Sequence, residues 1–344
     1  MAAVGFKGLG RSIAFASGAF VGGAGLTAAL KASIEGFTKF EDQMQKTVGL
    51  ANVAEGSVGK FSKQVLALAP QVGRGPQELA KAFFFVASSG IAANKAMAVV
   101  KASAQGAVAG LGDTATVADA LTSVINAYGA ANINAAQAAD VLTATVREGK
   151  GEADRFAPVI GNVVALAAQL GVSFDQVGAA LAVQTRLGTD AETTAIQLQR
   201  VFSTLLKVTP KSAEAFESVG LNADKLREQL GEKNGLIKVL TQVKAAFEGN
   251  SPALSQAFGD VRALRGILNL VGKQTKSTQE VFDKLANSAG SAKTAFDAVD
   301  KDTAQQFRKL KASAEVLGIS VGAIFAPLAA GAATALAKVT QDFT

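Results

Sequence analysis

The sequence contains no cysteine, no histidine and no tryptophan, and only one tyrosine and six prolines in 344 residues. Without cysteine there is no disulfide framework, no thiol chemistry and no thiolate-bound zinc. Without histidine there is no Ser–His–Asp triad, no imidazole metal ligand and no ordinary general base near neutral pH. Carboxylates alone can still run a hydrolysis, so these absences weaken an enzymatic reading without removing it. A strong charge of one sign is also missing. The 34 basic and 28 acidic residues leave a net charge of +6, with no run of five like charges. That falls short of the concentrated basic face of a duplex-DNA binder, and leaves open weak contact with nucleic acid or an anionic membrane. No segment alternates with the period of a strand, and no repeat recurs at a fixed spacing.

What remains is apolar and helical. Hydrophobic residues make up 49% of the chain, while aromatics are only 6%. Much of the apolar fraction is alanine, which buries little area per residue and favours close helix packing over a bulky core. The 35 glycines punctuate the helices instead of forming a block. The expected fold is all-α, an irregular multi-helix module of short amphipathic helices, with longer apolar or amphipathic helices at both ends. The expected division is 1–39, 40–272 and 273–344.

The centre, residues 112–206, carries the clearest local signals. Asp113 or Thr114 caps a helix with Val117, Leu121, Val124, Ile125 and Tyr128 on one stripe, and Gly129 stops it. Asn134 with Gln137, and Ser173 with Gln176, have the spacing of capping boxes. Thr189 or Asp190 opens a helix with Leu198, Val201, Phe202 and Leu205 on one face. Residues 147–155 are charged, and Glu148, Glu152 and Asp154 read as a solvated loop in preference to catalytic carboxylates. Residues 156–174 are uncharged and read as a buried core helix. Elsewhere, Ser57 is a candidate cap, Pro70 and the GRGP segment end a helix, and Phe83, Phe84 and Phe85 point to burial on several sides, with a contact surface as the alternative. Leu264, Ile267, Leu268 and Val271 mark another apolar face. Residues 275–315 have the pattern of one extended exposed helix, with Lys301, Arg308, Lys309 and Lys311 giving it basic weight.

Two runs near the ends are long enough to span a membrane. Residues 12–30 hold Phe15, Phe20, Val21 and Leu26; residues 316–337 hold Ile319, Ile324, Phe325 and Leu328. The first reads as a packed protein helix, with a membrane-active segment and a signal peptide as rivals. Pro327 is expected to kink the second.

The ordered strings INAYGAANINAAQAADVLTATVREG, FAPVIGNVVALAAQLGVSFDQVGAALAVQTRLG and ETTAIQLQRVFSTLLKVTP, with flanking helices over residues 40–271, resemble the core region of phage tail tape measure proteins. That resemblance implies a structural ruler in the lumen of a tail tube, released at infection to assist DNA passage. The implied partners are tail-tube subunits, tail assembly chaperones and other copies of the tape measure, with the host membrane and passing phage DNA beyond them. No enzyme, cofactor, metal or small-molecule substrate is implied. Members of that family are longer, so the chain is expected to be a piece of a longer ruler or a short one. The rival expectation is a membrane-active pore or translocation protein using the two terminal runs.

Overall fold

The computed structural model describes residues 23–51, 53–150, 153–259, 261–271 and 275–341, and over them it holds seventeen α-helices and no strand. In chain order these are α1 (Gly23–Ala51), α2 (Glu55–Val72), α3 (Pro76–Ser88), α4 (Ala93–Val108), α5 (Thr114–Tyr128) and α6 (Ala135–Glu148). A 3-10 turn at Ala153–Arg155 leads into α7 (Ala157–Gln169), α8 (Phe174–Arg186), α9 (Ala191–Leu206), α10 (Pro210–Ser218), α11 (Ala223–Leu230) and α12 (Gly235–Ala246). The chain continues through α13 (Ser251–Phe258), α14 (Val261–Val271), α15 (Thr275–Ala286), α16 (Ser291–Asp300) and α17 (Thr303–Gln341). The all-α expectation holds.

Local chemistry starts most of the central helices. Asp113 accepts hydrogen bonds from the Ala115 and Thr116 amides at 2.9 Å and from the Thr116 hydroxyl at 2.7 Å. The Thr116 hydroxyl and amide bonds outweigh partial burial and hold the Asp113 carboxyl below its ordinary pKa. Asn134 and Gln137 form the reciprocal capping box, at 3.0 and 2.9 Å. Asp190, Thr209 and Asn222 cap α9, α10 and α11 through the amide three residues on. The turn glycines 112, 171, 188 and 220 all sit at positive φ, where a Cβ would be strained.

The stripes read from sequence face inward. Val117, Leu121, Val124 and Ile125 are buried, with Tyr128 partly so, and the α9 stripe of Leu198, Val201, Phe202 and Leu205 is wholly enclosed. One continuous apolar core runs from Phe40 to Ile319. α5 packs on α3, α4 and α7; α9 bridges α7 and α14; α6 joins α4, α8 and α16.

Several expectations are corrected by tertiary contacts. Helix α2 starts after Ala54, not at Ser57, and runs through Pro70 to a left-handed Gly73. Pro70 costs the helix one backbone bond and crowds the carbonyl four residues back, but α2 ends two residues later in any case. Ser173 makes no backbone cap. Gln176 instead donates to Ser173 Oγ at 3.0 Å and accepts from the Leu236 amide at 2.7 Å, so it ties α8 to the start of α12. Residues 156–174 form α7, a turn at Gly171 and the start of α8, not one helix. Phe83 is enclosed, while Phe85 reaches solvent. On α14 the buried residues are Ala263, Ile267, Leu270 and Val271, and Leu268 points outward. Residues 275–315 are three pieces, α15, α16 and the start of α17, separated at 287–290 and 301–302.

Glu148 is not in a solvated loop. It is the last residue of α6 and is buried. Its carboxylate meets Arg186 of α8 at 2.7 Å, Lys284 of α15 at 2.9 Å and Arg147 at 3.5 Å. One helix turn pair earlier on α6, Asp140 accepts the amides of Gly290 and Ala292 at 2.8 Å and so caps α16 from a distance of 150 residues in sequence. Helix α6 thus holds α15 and α16 with two carboxylates. Burial raises the Glu148 pKa, but the hydrogen bond and charge of Lys284, with Arg186 and Arg147, outweigh it, and the net position lies below the ordinary glutamate value.

Replacing Asp113 with alanine removes the α5 cap and should cost about 1 kcal/mol in a denaturant melt, with no change in the folded helical content. A cost near zero would mean that solvent replaces the carboxylate. The Glu148 clamp carries a pH dependence. Its depressed native pKa stabilises the fold above the unfolded value of 4.5, and that contribution is lost as pH falls through the native value. Glu148→Gln should flatten that acid limb and cost about 1–2 kcal/mol, less than the roughly 3–5 of a fully buried pair, because Arg186 and Lys284 reach water. An acid limb identical to that of the parent would show that the clamp does not contribute.

Candidate functional site

The surface that stands out is α17 and the helix that carries it, α1. They pack closely because Gly322 has no side chain. A Cβ there would overlap the Ser33 carbonyl of α1 and sit 2.7 Å from the Phe37 Cβ. Gly318 also faces Ser33. At its start α17 is fixed by Gln305, which is buried and donates to the Val72 carbonyl of α2 at 2.8 Å. Lys309 pairs with Asp300 at 2.6 Å, and Arg308 donates to Gln305 at 2.9 Å, so part of the basic weight expected here is spent on the fold itself. A cleft of about 590 Å³ between α1, α2 and α17 is lined by Phe37, Phe40, Met44, Val58, Leu66 and Ile319.

The inner face of α17 comprises Gln305, Lys309, Ala312, Val316, Ile319 and Gly322, all buried or half-buried. On the opposite side lies a second apolar stripe: Phe307, Leu310, Ala314, Leu317, Val321, Ile324 and Leu328. The steps are 3, 4, 3, 4, 3 and 4 residues. Phe307, Leu310, Ile324 and Leu328 are 65%, 64%, 50% and 66% exposed, and Leu317 is 39% exposed. A helix apolar on one side is a surface helix, whereas this one is apolar on two opposite sides. Among the described residues, Thr303–Gly331 is the one stretch long and apolar enough to cross a membrane, with a mean hydropathy of 1.6 and 11% of its most apolar window buried. The helix continues through Pro327.

Of the residues singled out for membrane contact, Phe15, Phe20 and Val21 lie outside the described residues, and Leu26 falls on α1. Ile319 is turned into the body, whereas Ile324, Phe325 and Leu328 are exposed. The exposed stripe was missed in the sequence because the run around it is apolar on every side; the 3–4 spacing was the available signal.

Among the described residues there is no set of three metal-ligating side chains. Glu148 is consumed by its three cations, and Asp154 is exposed within the 3-10 turn. A cleft of about 530 Å³ is bounded by Tyr128, Asp140, Phe174, Asp175 and Leu285. Burial, with Asp175 nearby, raises the Tyr128 phenol above its ordinary pKa, so it stays protonated and donates to the Val172 carbonyl at 2.8 Å.

The family model of the phage-related minor tail proteins matches residues 62–261, more than half of the chain. The chain is 23% identical over 336 residues to a "Tape measure protein" of Pneumococcus phage Dp-1, covering 93% of this chain and 29% of that protein. It is 25% identical over 307 residues to a "Probable tape measure protein" of Clostridium phage phiCD119, covering 87% of this chain and 32% of that one. The chain therefore spans about a third of the length of these curated relatives. No solved structure matches it. The resemblance read from the ordered central strings agrees with these matches, and the chain belongs to the phage-related minor tail protein family.

Proposed function

We propose that this chain is the folded core segment of a tail tape measure, a structural ruler and scaffold for tail-tube assembly that is released at infection and assists DNA passage through the host envelope. The observation that carries this is the match over residues 62–261, together with two relatives named as tape measure proteins. The side-chain chemistry fits this reading: the chain has no His or Cys, and its buried carboxylate is held by cations. Its place is the lumen of the tail tube in the virion. Its partners are tube subunits, tail assembly chaperones and other copies of itself, and on release the host membrane and the passing DNA.

The division at 1–39, 40–272 and 273–344 is a functional one. Helix α1 runs across the first boundary with Phe40 and Met44 in the core, so the proposed change of partners falls to the last segment. Within the last segment the moving part is α17, because α15 and α16 are clamped to α6.

A second reading, a membrane-active translocation protein, is favoured by one observation: Ile324, Phe325 and Leu328 are exposed on a helix of spanning length. It is compatible with the first, since a released ruler can act at a bilayer.

In-frame removal of 14 residues from α17 in the phage should shorten the tail by ~21 Å at 1.5 Å per residue, read by electron microscopy. Tails of unchanged length would deny this segment a measuring role. The α1–α17 pairing has its own check. Gly322→Val gains a few tenths of a kcal/mol in helix propensity, roughly, but the overlap with Ser33 should cost about 1–3 kcal/mol, so the clash wins. The expected result is a melting temperature lower by several degrees and faster protease cutting in α17. Unchanged melting and cutting would contradict the close approach.

A further inference from the structure

We propose that the cleft between α5, α6, the α7–α8 turn and the end of α15 is a binding site for a small organic dication, of the class of the linear diamines. The cleft holds about 530 Å³ and is lined by no residue of α17. Its walls come from helix ends that the core holds in place. Tyr128 closes α5, Asp140 lies on α6, Phe174 and Asp175 open α8, and Leu285 and Ser288 lie at and just after the end of α15.

Small-molecule sites are largely apolar clefts with a few convergent polar groups. Here the charged groups are all of one sign. Two lining residues, Asp140 and Asp175, are acidic and none is basic. Asp140 accepts the Gly290 and Ala292 amides at 2.8 Å, one on each oxygen, and amides carry no charge to cancel its own. The cations on the neighbouring helices are spent elsewhere: Lys284 and Arg147 on Glu148, Lys293 on Asp297. Asp175 stands in the first turn of α8, where the helix dipole favours its sign. Among the described residues it has neither an ion pair nor a hydrogen-bonded side-chain partner.

Ser288 points to a ligand independently of the carboxylates. It is 6% exposed, and its backbone amide and carbonyl are both hydrogen-bonded, to Leu285 and Ser291. Its hydroxyl has no partner among the described residues and opens to the cleft. A hydroxyl buried without a partner is unfavourable, and a ligand N–H restores the missing bond. Water fills one such position but cancels neither carboxylate.

Charge and walls together select the ligand. An anion is repelled. A divalent metal ion needs about six or more oxygen ligands in a tight shell. Asp140 has engaged both oxygens, and Leu285 and two aromatic rings line the same space. Those rings, Tyr128 and Phe174, have centroids 6.3 Å apart. A diamine suits these surroundings. Its methylene chain packs on the apolar wall, its ammonium groups donate to carboxylate and hydroxyl, and aromatic rings attract a cation. The second ammonium matches the second carboxylate.

The full chain is titrated with diaminobutane by isothermal calorimetry at about 0.15 M ionic strength, with millimolar magnesium chloride present to fill any diffuse counterion layer. One ligand should bind per chain. Butylamine, with a single charge, should bind about tenfold more weakly, and Asp175→Asn should weaken diamine binding by about the same factor. Ser288→Ala should weaken it roughly three- to tenfold. Asp224→Asn, which alters an exposed carboxylate outside the cleft, should leave it unchanged. The chain has one tyrosine and no tryptophan, so Tyr128 emission reports occupancy in the unaltered protein and should change with the same midpoint as the heat. The two amines and the emission thus test the site without any substitution. The proposal is overturned by absence of saturable binding, by unchanged emission as ligand binds, by equal affinity for the two amines, or by equal affinity of the parent and either cleft variant. None of these outcomes turns on tail length, so this site and the ruler reading fail separately.

Discussion

Helix α17 is apolar on two opposite sides, and the body of the protein covers one of them. The inner side is settled by contacts that leave little freedom: Gly322 against the Ser33 backbone, and Gln305 in hydrogen bond with the Val72 carbonyl. Those contacts fix the rotation of the helix about its axis. Once the rotation is fixed, the heptad stripe from Phe307 to Leu328 has to face outward. The exposed surface is thus a consequence of how tightly the inner surface is packed. A larger residue than glycine at 322 would loosen both at once.

The contrast with the neighbouring helices is instructive. α15 and α16 are short, and α6 holds them with two carboxylates that find cations and amides far away in sequence. Charged and capping hydrogen bonds of that kind are directional and break together, so this region behaves as part of the core. α17 is held mainly by apolar contact along one face beyond its first turns, and such contact is non-directional. A single chain therefore joins a clamped body to a long helix held along one face.

Features set by neighbours in sequence were legible without a structure. Asp113, Asn134 and Asp190 cap helices because the amides they need lie two or three residues away. The α5 and α9 stripes follow from the 3.6-residue period alone. The errors arise where a distant group competes. Gln176 gives up a local cap because the Leu236 amide takes its oxygen. Glu148 looks like a loop residue until Arg186 and Lys284 arrive from 38 and 136 positions away. Leu268 and Leu270 exchange roles because the neighbours of α14 set its face, not its own hydropathy. The outer stripe of α17 was present in the sequence all along. It was hidden because Ile319, Val316 and Ala312 fill the gaps between its members, and only the packing of α1 separates the two sets.

The two faces can be read in one labelling experiment, since the chain has no cysteine of its own. Val316 and Leu317 are adjacent and lie on different sides of α17, half-buried and exposed respectively. With a single cysteine at either position, the rate of maleimide reaction is measured on the folded chain. A thiol at 316 should react slowly and one at 317 fast. Equal rates at the two positions would contradict the two-faced helix.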